Sequence, residues 1–427
     1  MWKEPYSYKE GFVISGGLVV TGLMLQLSVG PLNWDIFMWP ANVIALAVFI
    51  VLLALIWLLR SKSYFFRFIT TAKAAVPAIS TAVVMTVIMG LTKQTGEKNE
   101  PADLLGFTKM LECWSFILIY IWMTVIVGEE TIKQIATLRL RSLPSLLSHA
   151  GLFVVLTCGT LGSADMQRLR MYCEQGKPEW RGLDAWNNVH ELPVAIELEK
   201  FTIDEYPPKL MVIDNEGKPL PIDKPDILEV EGSNASGTLA GFDISVLRRI
   251  DNAMPAALAR MAEGMPAQML SQIRMDSLGQ ALNKDGYVFS SAPGSECALL
   301  VKAQPHGTKP LSGWVTCGSY QFRYQGLSLD SLHTLVMATR EPKQYSSLVD
   351  VYTKKGESLQ ARIEVNRPLK VDGWNIYQLS YDQQMGKWST LSVFELVSDP
   401  WLPVVYIGIF LLAIGAVGMF FIKRPTT

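Results

Sequence analysis

One histidine, His149, lies within an apolar run without formal charges that extends from Pro144 to Leu161. An ionisable ring at membrane depth is costly, so it usually faces a helix bundle, a cavity or a cofactor. Ser145 and Ser148 could hydrogen-bond one ring nitrogen, which would fix the tautomer and leave the other nitrogen free to bind a metal. The same pattern also fits a neutral histidine bonded to a neighbouring helix, with no cofactor.

The remaining histidines fall in a long polar stretch further along the chain: His190, His306 and His333. No pattern brings these three together, so we expect surface or hydrogen-bonded side chains. His149 is therefore predicted to be the one ionisable ring at membrane depth, with no buried partner from this chain.

Six apolar segments are long enough to cross a bilayer as helices. The chain is 49 % hydrophobic and only 18 % charged, and its mean hydropathy is +0.22. The predicted spans are Gly11–Val29, Pro40–Leu59, Ala75–Leu91, Phe107–Gly128, Pro144–Gly162 and Trp401–Ile422. Glu4 and Glu10 near the start of the first span are atypical of a removable signal peptide. The sequence thus predicts a polytopic α-helical membrane protein.

Basic residues concentrate in alternate loops of this predicted topology. They are Arg60, Lys62, Arg67 and Lys73 after the second span, and Lys133, Arg139 and Arg141 after the fourth. By the positive-inside bias, both termini are expected in the cytoplasm and residues 163–400 outside it. A net charge of −1 argues against nucleic-acid binding.

The polar stretch at 163–400 is long enough to form a domain of its own. Alternating or β-rich runs predict strands at Val194–Tyr206, Trp314–Tyr324, Ser347–Lys354, Leu359–Val365 and Trp374–Ser380. Turns are predicted at Lys355-Gly356 and Asp372-Gly373. Short strands at this spacing favour an antiparallel sandwich or an open barrel, inserted before the last span.

A helical segment is predicted between these strands, from Asp243 to about Lys284, with interruptions at Pro255 and Pro266. It contributes five methionines: Met254, Met261, Met265, Met269 and Met275. These thioethers fit a helix core, an adaptable docking surface or a soft haem ligand.

The five cysteines include two in predicted spans, Cys113 and Cys158, and three in the external stretch, Cys173, Cys297 and Cys317. An oxidising compartment could pair two of the external thiols. Cys297 and Cys317, on neighbouring predicted strands, are the preferred pair. The sequence contains no CxxC, CxxCH, Walker A, GxGxxG or HExxH motif.

The last part of the chain resembles the ResB-like family of cytochrome c biogenesis proteins, also called CcsB. A pattern VNxPLxxxGxxIYQxSY followed by DPxLPxVYxG is matched at Val365, Asn366, Pro368, Leu369, Gly373, Ile376, Tyr377, Gln378, Ser380, Tyr381, Asp399, Pro400, Leu402, Pro403, Val405, Tyr406 and Gly408. The run SHAGLFVVLTCGTLG around His149 is similar to the family's third helix. The run LEKFTIDEY, from Leu198 to Tyr206, is similar to the first strand of its external domain.

The resemblance covers about half of the chain. Family members usually have four membrane helices, so residues 1–74 would form two extra helices, and residues 75–162 a three-helix core with His149. Residues 163–400 would form the external domain, with a partly helical insert near 215–340 that has no counterpart in the family. The last helix and a basic tail would follow at 401–427.

The resemblance implies a role in system II cytochrome c maturation in a bacterial inner membrane. There, a ResB-type subunit and a CcsA/ResC-type partner carrying a WWD domain move haem b outward and attach it to the CxxCH thiols of apocytochrome c. His149 matches the family's helix histidine, an axial ligand of the haem iron. A thioredoxin-like thiol reductant is the expected further partner. No tryptophan cluster of the WWD kind is present, so this chain resembles the ResB half alone.

Low-spin haem needs two axial ligands, and one histidine at membrane depth predicts that the second comes from another subunit. Any lyase activity would then belong to the complex, with this chain as an accessory subunit. Two alternatives stay open. One is a scaffold subunit that docks the partner and apocytochrome without binding haem, and the other is a membrane-anchored protein whose external domain captures a ligand.

Overall fold

The computed structural model describes residues 2–95, 103–262, 285–304 and 309–421. The chain folds into two compact units. The first comprises Met1–Leu169, Leu183–Asn188 and Val397–Thr427, and the second comprises Arg170–Gly182 and Val189–Leu396. The first unit is mainly helical and the second mainly β-structure.

Eight α-helices lie within the described ranges. They are α1 (Tyr8–Val29), α2 (Ala41–Leu59), α3 (Tyr64–Ile69), α4 (Ala72–Leu91), α5 (Trp114–Ala136), α6 (Leu143–Gly162), α7 (Ala256–Ala262) and α8 (Leu402–Phe420). All but α3 and α7 are long and apolar enough to cross a membrane, so the six predicted spans are confirmed. The fourth span differs most, at both ends: a 3₁₀ turn occupies Phe107–Glu112, and α5 continues past Gly128 to Ala136.

Polar side chains set the ends of the first and last membrane helices. Ser7 begins α1 with a capping box, in which the Ser7 hydroxyl accepts a hydrogen bond from the Lys9 amide at 3.2 Å. The Glu10 carboxylate in turn accepts one from the Ser7 amide at 2.8 Å. Asp399 accepts bonds from the amides of Trp401 and Leu402 at the start of α8. These side chains satisfy amides that have no partner within the helix.

Seventeen strands form three sheets. They are β1 (Gln167–Glu174), β2 (Pro178–Leu183), β3 (Val189–Glu205), β4 (Lys209–Ile213), β5 (Leu228–Glu229), β6 (Ser236–Leu239), β7 (Phe242–Pro255), β8 (Tyr287–Phe289), β9 (Glu296–Gln304), β10 (Leu311–Thr316), β11 (Leu327–Ser328), β12 (Thr334–Met337), β13 (Pro342–Thr353), β14 (Ser358–Glu364), β15 (Leu369–Val371), β16 (Trp374–Tyr381) and β17 (Leu391–Ser398). The count covers the described part of the chain. The prediction of a large, mainly β domain before the last helix is confirmed.

The largest sheet has the strand order β14-β13-β3-β2-β1-β17-β16-β15. Its first strand, β14, lies against β15 and β16, so the sheet curls into a nearly closed barrel. The other sheets have the orders β10-β9-β7-β6, with β8 on β7, and β11-β12-β4-β5. Both predicted turns are confirmed, and Gly356 and Gly373 adopt positive φ angles of 82° and 81°.

The predicted helix from Asp243 is wrong in its first part, because residues 242–255 form strand β7, and within the described part of this segment the helical residues are Ala256–Ala262. Phe242, Ile244 and Val246 alternate into the core against β9, as a strand requires. A register shift between Val246 and Arg248 then breaks this alternation, which hides the strand in the sequence. Residues 263–284 lie outside the described residues.

The strand predicted at Trp314–Tyr324 ends earlier than expected, because β10 stops at Thr316.

The core of this region is a hydrophobic cluster contributed by β4, β7, β9, β10 and β12. Its members include Leu210, Ile244, Leu299, Val315 and Leu335, all buried. The stretch near 215–340 is therefore built mainly of strands within its described part.

A cluster of charged side chains lies between strands of two different sheets in the second unit. Arg340 Nη2 contacts Glu205 at 3.3 Å, at the end of β3. Lys387 Nζ donates to Glu296 at 3.0 Å and to Asn252 on β7 at 2.8 Å. These four charged side chains are largely buried. Burial raises the pKa of Glu205, and repulsion from Glu296 adds to the rise, against attraction from Arg340 and Lys387.

The raised pKa of Glu205 predicts a specific pH dependence of stability. The folded chain holds a proton here at pH values at which the unfolded chain, with a carboxyl near the ordinary 4.5, has released it. This group therefore lowers the free energy of unfolding as pH rises from about 4.5 through the raised pKa. We expect Glu205→Gln to remove that slope in thermal unfolding at different pH values. Glu341→Gln changes an exposed partner of Lys209 and should keep the wild-type slope of stability against pH. Equal slopes in the wild type and both variants would show that Glu205 does not cause this pH dependence.

Candidate functional site

His149 is half-buried on α6, and its ring is held by the preceding turn of the same helix. Nδ1 lies 2.8 Å from the Ser145 carbonyl oxygen and 3.4 Å from the Ser145 hydroxyl. Because a carbonyl oxygen only accepts hydrogen bonds, the neutral ring carries its proton on Nδ1. The lone pair is then on Nε2, which has no hydrogen-bond partner among the described residues. This is the tautomer of a histidine that binds a metal through Nε2.

Ser148, the second serine expected near the ring, bonds elsewhere. Its hydroxyl donates to the Leu412 carbonyl of α8 at 3.3 Å. Of the two serines, Ser145 therefore bonds the His149 ring, mainly through its backbone carbonyl. Ser148 instead links α6 to α8. The difference follows from helix geometry, since the carbonyl of residue i lies close to the side chain of residue i+4.

Helices α6 and α8 pack at backbone distance through glycines. A Cβ atom built on Gly151 would lie 2.4 Å from the Leu412 amide nitrogen and 2.5 Å from the Gly408 carbonyl oxygen. One built on Gly415 would lie 2.4 Å from the Ser148 amide nitrogen. Small residues allow membrane helices to approach this closely and gain van der Waals contact. The helix that carries His149 is therefore fixed against the last helix of the chain.

Glu129 is a membrane carboxyl that sequence reasoning missed. It is 1 % exposed on α5, and its Oε1 has no hydrogen-bond partner among the described residues. The Arg60 guanidinium at the end of α2 interacts with it electrostatically. The predicted span stopped at Gly128, and continuing the helical period past that glycine would have placed Glu129 inside the bundle. His149 is thus not alone as a buried ionisable side chain on the membrane helices.

A second missed residue, Asp165, joins three segments of the first unit. Its carboxylate accepts hydrogen bonds from the Trp39 amide at 2.7 Å, Asn42 Nδ2 at 2.7 Å and Trp401 Nε1 at 2.8 Å. The C-terminal end of α6 is thereby bonded to the N-terminal ends of α2 and α8. Beside it lies a groove of about 590 Å³ whose walls include Met38, Trp39 and Trp401.

The remaining histidines have other environments. His190 is exposed, and His333 Nδ1 lies 2.8 Å from Asp330 while its ring contacts Phe242 at a centroid distance of 5.4 Å. The prediction of surface or hydrogen-bonded side chains is confirmed for these two, and His306 lies outside the described residues. Across the described ranges, no three His, Cys, Asp or Glu side chains are grouped as a metal site.

Of the methionines and cysteines singled out in the second unit, the described side chains are those of Met254, Cys173, Cys297 and Cys317. Met254 is buried on β7 against Leu258 and Phe322. Of the three roles considered for the methionines, this position fits packing in a hydrophobic core, although on a strand and not on a helix. The side chain of Met261, and residues Met265, Met269 and Met275, lie outside the described part. All five cysteines are free thiols, so the preferred pair Cys297–Cys317 is not joined. Burial raises the pKa of Cys297 to about 11 and that of Cys317 to about 12, so both thiols stay protonated at neutral pH.

The donor set fits one axial ligand of a haem. A neutral imidazole with a free Nε2, half-buried on an apolar helix, is the ligand that haem iron takes from many proteins. Among the described residues, His149 is therefore the one that would hold haem iron.

A comparison with protein families matches residues 313–393 to the ResB-like family. This segment covers β13 to β16 completely and contains the strand-pair motif from Val365 to Tyr381. The resemblance noted from the sequence is confirmed there, and it supports a role in cytochrome c biogenesis at the level of the family. A comparison with curated proteins finds no match.

Proposed function

We propose that this chain is a ResB/CcsB-type subunit of a system II cytochrome c synthase in a bacterial inner membrane. In this proposal both termini are cytoplasmic, the β-rich unit is periplasmic, and the chain helps to bind haem b and deliver it for attachment to apocytochrome c. The match to the ResB-like family supports the pathway. The observation that carries the haem role is His149 Nε2, a free lone pair on a ring whose tautomer is fixed by Ser145.

Each part of the His149 site has a defined task in this proposal. The Ser145 carbonyl oxygen accepts a hydrogen bond from Nδ1–H, so that the lone pair of the neutral ring is on Nε2, the ligand atom. The Gly151 contact with α8 holds the helix so that the ring stays at one depth. Haem, when bound, supplies the vinyl groups that form thioethers with the apocytochrome thiols. A CcsA/ResC-type partner with a WWD domain would supply the second axial ligand, and a thioredoxin-like protein would keep the apocytochrome thiols reduced.

A scaffold role without haem is the second candidate, and one observation favours it. The family match lies at 313–393 and does not include His149. A chain of this kind could dock the partner and apocytochrome through its β-rich unit while His149 only stabilises the bundle. The two candidates differ in whether bound haem depends on His149.

The test is the absorption spectrum of the full chain purified from membranes with its WWD-type partner. We expect b-type Soret and α bands in the wild type, and loss or strong weakening of these bands in His149→Ala. Added imidazole should restore them, because it can occupy the ligand position that the alanine vacates. His333→Ala is the matched control, since His333 is paired with Asp330 far along the sequence in the second unit, and it should keep the wild-type spectrum.

Two other results would change the conclusion. Equal haem in wild type and His149→Ala, with cytochrome c maturation intact, would remove the ligand role and favour the scaffold. If the purified wild type contains no haem, and deletion of the chain leaves cytochrome c maturation intact, an external ligand-binding protein would be the better explanation.

A further inference from the structure

Helix α2 belongs to the N-terminal pair that the usual ResB-like layout lacks, yet it packs directly on the helix that carries His149. The Phe49 ring of α2 lies parallel to the Phe153 ring of α6, with a centroid distance of 6.3 Å and an interplanar angle of 9°. Phe153 is four residues from His149, so the two side chains occupy one face of α6 on consecutive turns. The α2 contact is thus made one turn from the proposed ligand.

A glycine on α5 brings a third helix to the same place. A Cβ atom on Gly128 would lie 2.6 Å from Leu53 Cδ1 of α2 and 2.9 Å from the Phe153 ring. Leu53 is 2 % exposed, so this junction has no room for a larger side chain. The Phe153 ring is therefore confined between α2 and α5.

The face of α6 that carries His149 continues toward α5 at later turns. Tyr120 of α5 donates to the Leu156 carbonyl at 2.8 Å, and the Thr160 hydroxyl donates to the Tyr120 hydroxyl at 2.8 Å. At about 100° per residue, Thr160 and His149 differ by about 20° around the helix. His149 thus lies beside the α2–α5 side of α6, and a rotation of α6 would move its ring away from that side.

Helix α2 also holds α6 at its C-terminal end. Asn42 Nδ2 lies 3.4 Å from the Leu161 carbonyl oxygen and 2.7 Å from Asp165. Two separate contacts along α2, the Phe49–Phe153 stack and the Asn42 bonds, therefore oppose rotation and sliding of α6.

We propose that α2 is a working part of the haem site, with Phe49 as a positioning residue that sets the His149 ring through Phe153. This inference rests on the proposed function. It explains why α2 contacts α6 beside the ligand rather than only at a distant end. It also assigns to α2 a task that the family resemblance does not provide.

The test compares variants of α2 in the full chain, coexpressed with its WWD-type partner. We expect Phe49→Ala to lower the haem bound per polypeptide about tenfold, the size of effect typical when a residue that orients a metal ligand is removed. The remaining haem should have a shifted Soret maximum, and imidazole should restore occupancy. Ile50→Ala is the matched control, because Ile50 is the next residue of α2 and is 50 % exposed; it should bind haem as the wild type does.

If Phe49→Ala cannot be recovered from membranes, Phe49→Leu provides the test. Leucine keeps most of the apolar volume of phenylalanine but removes the ring stack. Reduced, imidazole-rescuable haem in this variant supports the inference. Wild-type occupancy and spectrum in the Phe49 variants, or a loss that imidazole does not rescue, would overturn it. Absence of haem from the wild type would overturn the proposed function together with this inference, and the two failures are therefore distinguishable.

Discussion

Gly151→Ala is expected to destabilise the helical unit strongly, whereas Gly159→Ala on the same helix is expected to be tolerated. The new methyl group at position 151 would lie 2.4 Å from the Leu412 amide nitrogen and 2.5 Å from the Gly408 carbonyl oxygen. Both atoms belong to the backbone of α8, so no side-chain rotation relieves the contact and the helices must separate. We expect a loss of about 3 kcal/mol or more, at the upper end of overpacking effects.

Gly159 provides the matched control because a Cβ atom there meets nothing within 4 Å. Its substitution changes the same residue type on the same helix, and better helix propensity should leave stability unchanged or slightly raised. The measurement is thermal or denaturant unfolding of the full chain in detergent, with bound haem followed in parallel. Similar stability of the two alanine variants would show that α6 and α8 do not pack at backbone distance.

The membrane helices could be predicted from sequence because their signal is long and local. A bilayer requires about 20 apolar residues, and each of the six spans meets that requirement without reference to any other part of the chain. The error at α5 has a local cause as well. Charged Glu129 and Glu130 follow Gly128 and suggest a helix end, yet Glu129 is buried by neighbouring helices. Hydropathy alone does not report such tertiary burial.

Strands were harder to predict because their alternation is short and easily broken. Strand β3 is long and regular, and its pattern in Val194–Tyr206 predicted it well. Strand β7 has register shifts on both sides of Arg248–Ile250, so neither a period of 2 nor one of 3.6 fits its whole length. The pairing partner, β9, lies far along the chain, and only the folded structure identifies it.

The site was predictable only where one residue carries the signal. A lone histidine in an apolar run identifies His149 without knowledge of its neighbours. Asp165 gives no such signal, because its role depends on Trp39, Asn42 and Trp401, which come from two other segments. The same holds for Phe49 and Phe153, whose apolar types suit any membrane helix.

Asp165→Ala is expected to have the second largest effect on stability. The substitution leaves the Trp39 amide, Asn42 Nδ2 and Trp401 Nε1 without their common acceptor. Hydrogen bonds to a charged group contribute about 1.5–3 kcal/mol each, but water can replace part of them beside an open groove. We therefore expect a loss of about 2–4 kcal/mol in denaturant unfolding of the full chain.

Asp399→Ala is the control for this prediction, because Asp399 also bonds the start of α8 but accepts only from the amides of Trp401 and Leu402. Loss of such a helix-end acceptor costs about 1 kcal/mol. A further variant, Trp401→Phe, removes one donor and keeps an aromatic ring against Gly162. If Asp165 joins the helices, Trp401→Phe should cost much less alone than Asp165→Ala, and it should cost almost nothing in the Asp165→Ala background. Fully additive losses would mean that the Asp165–Trp401 bond contributes nothing to stability.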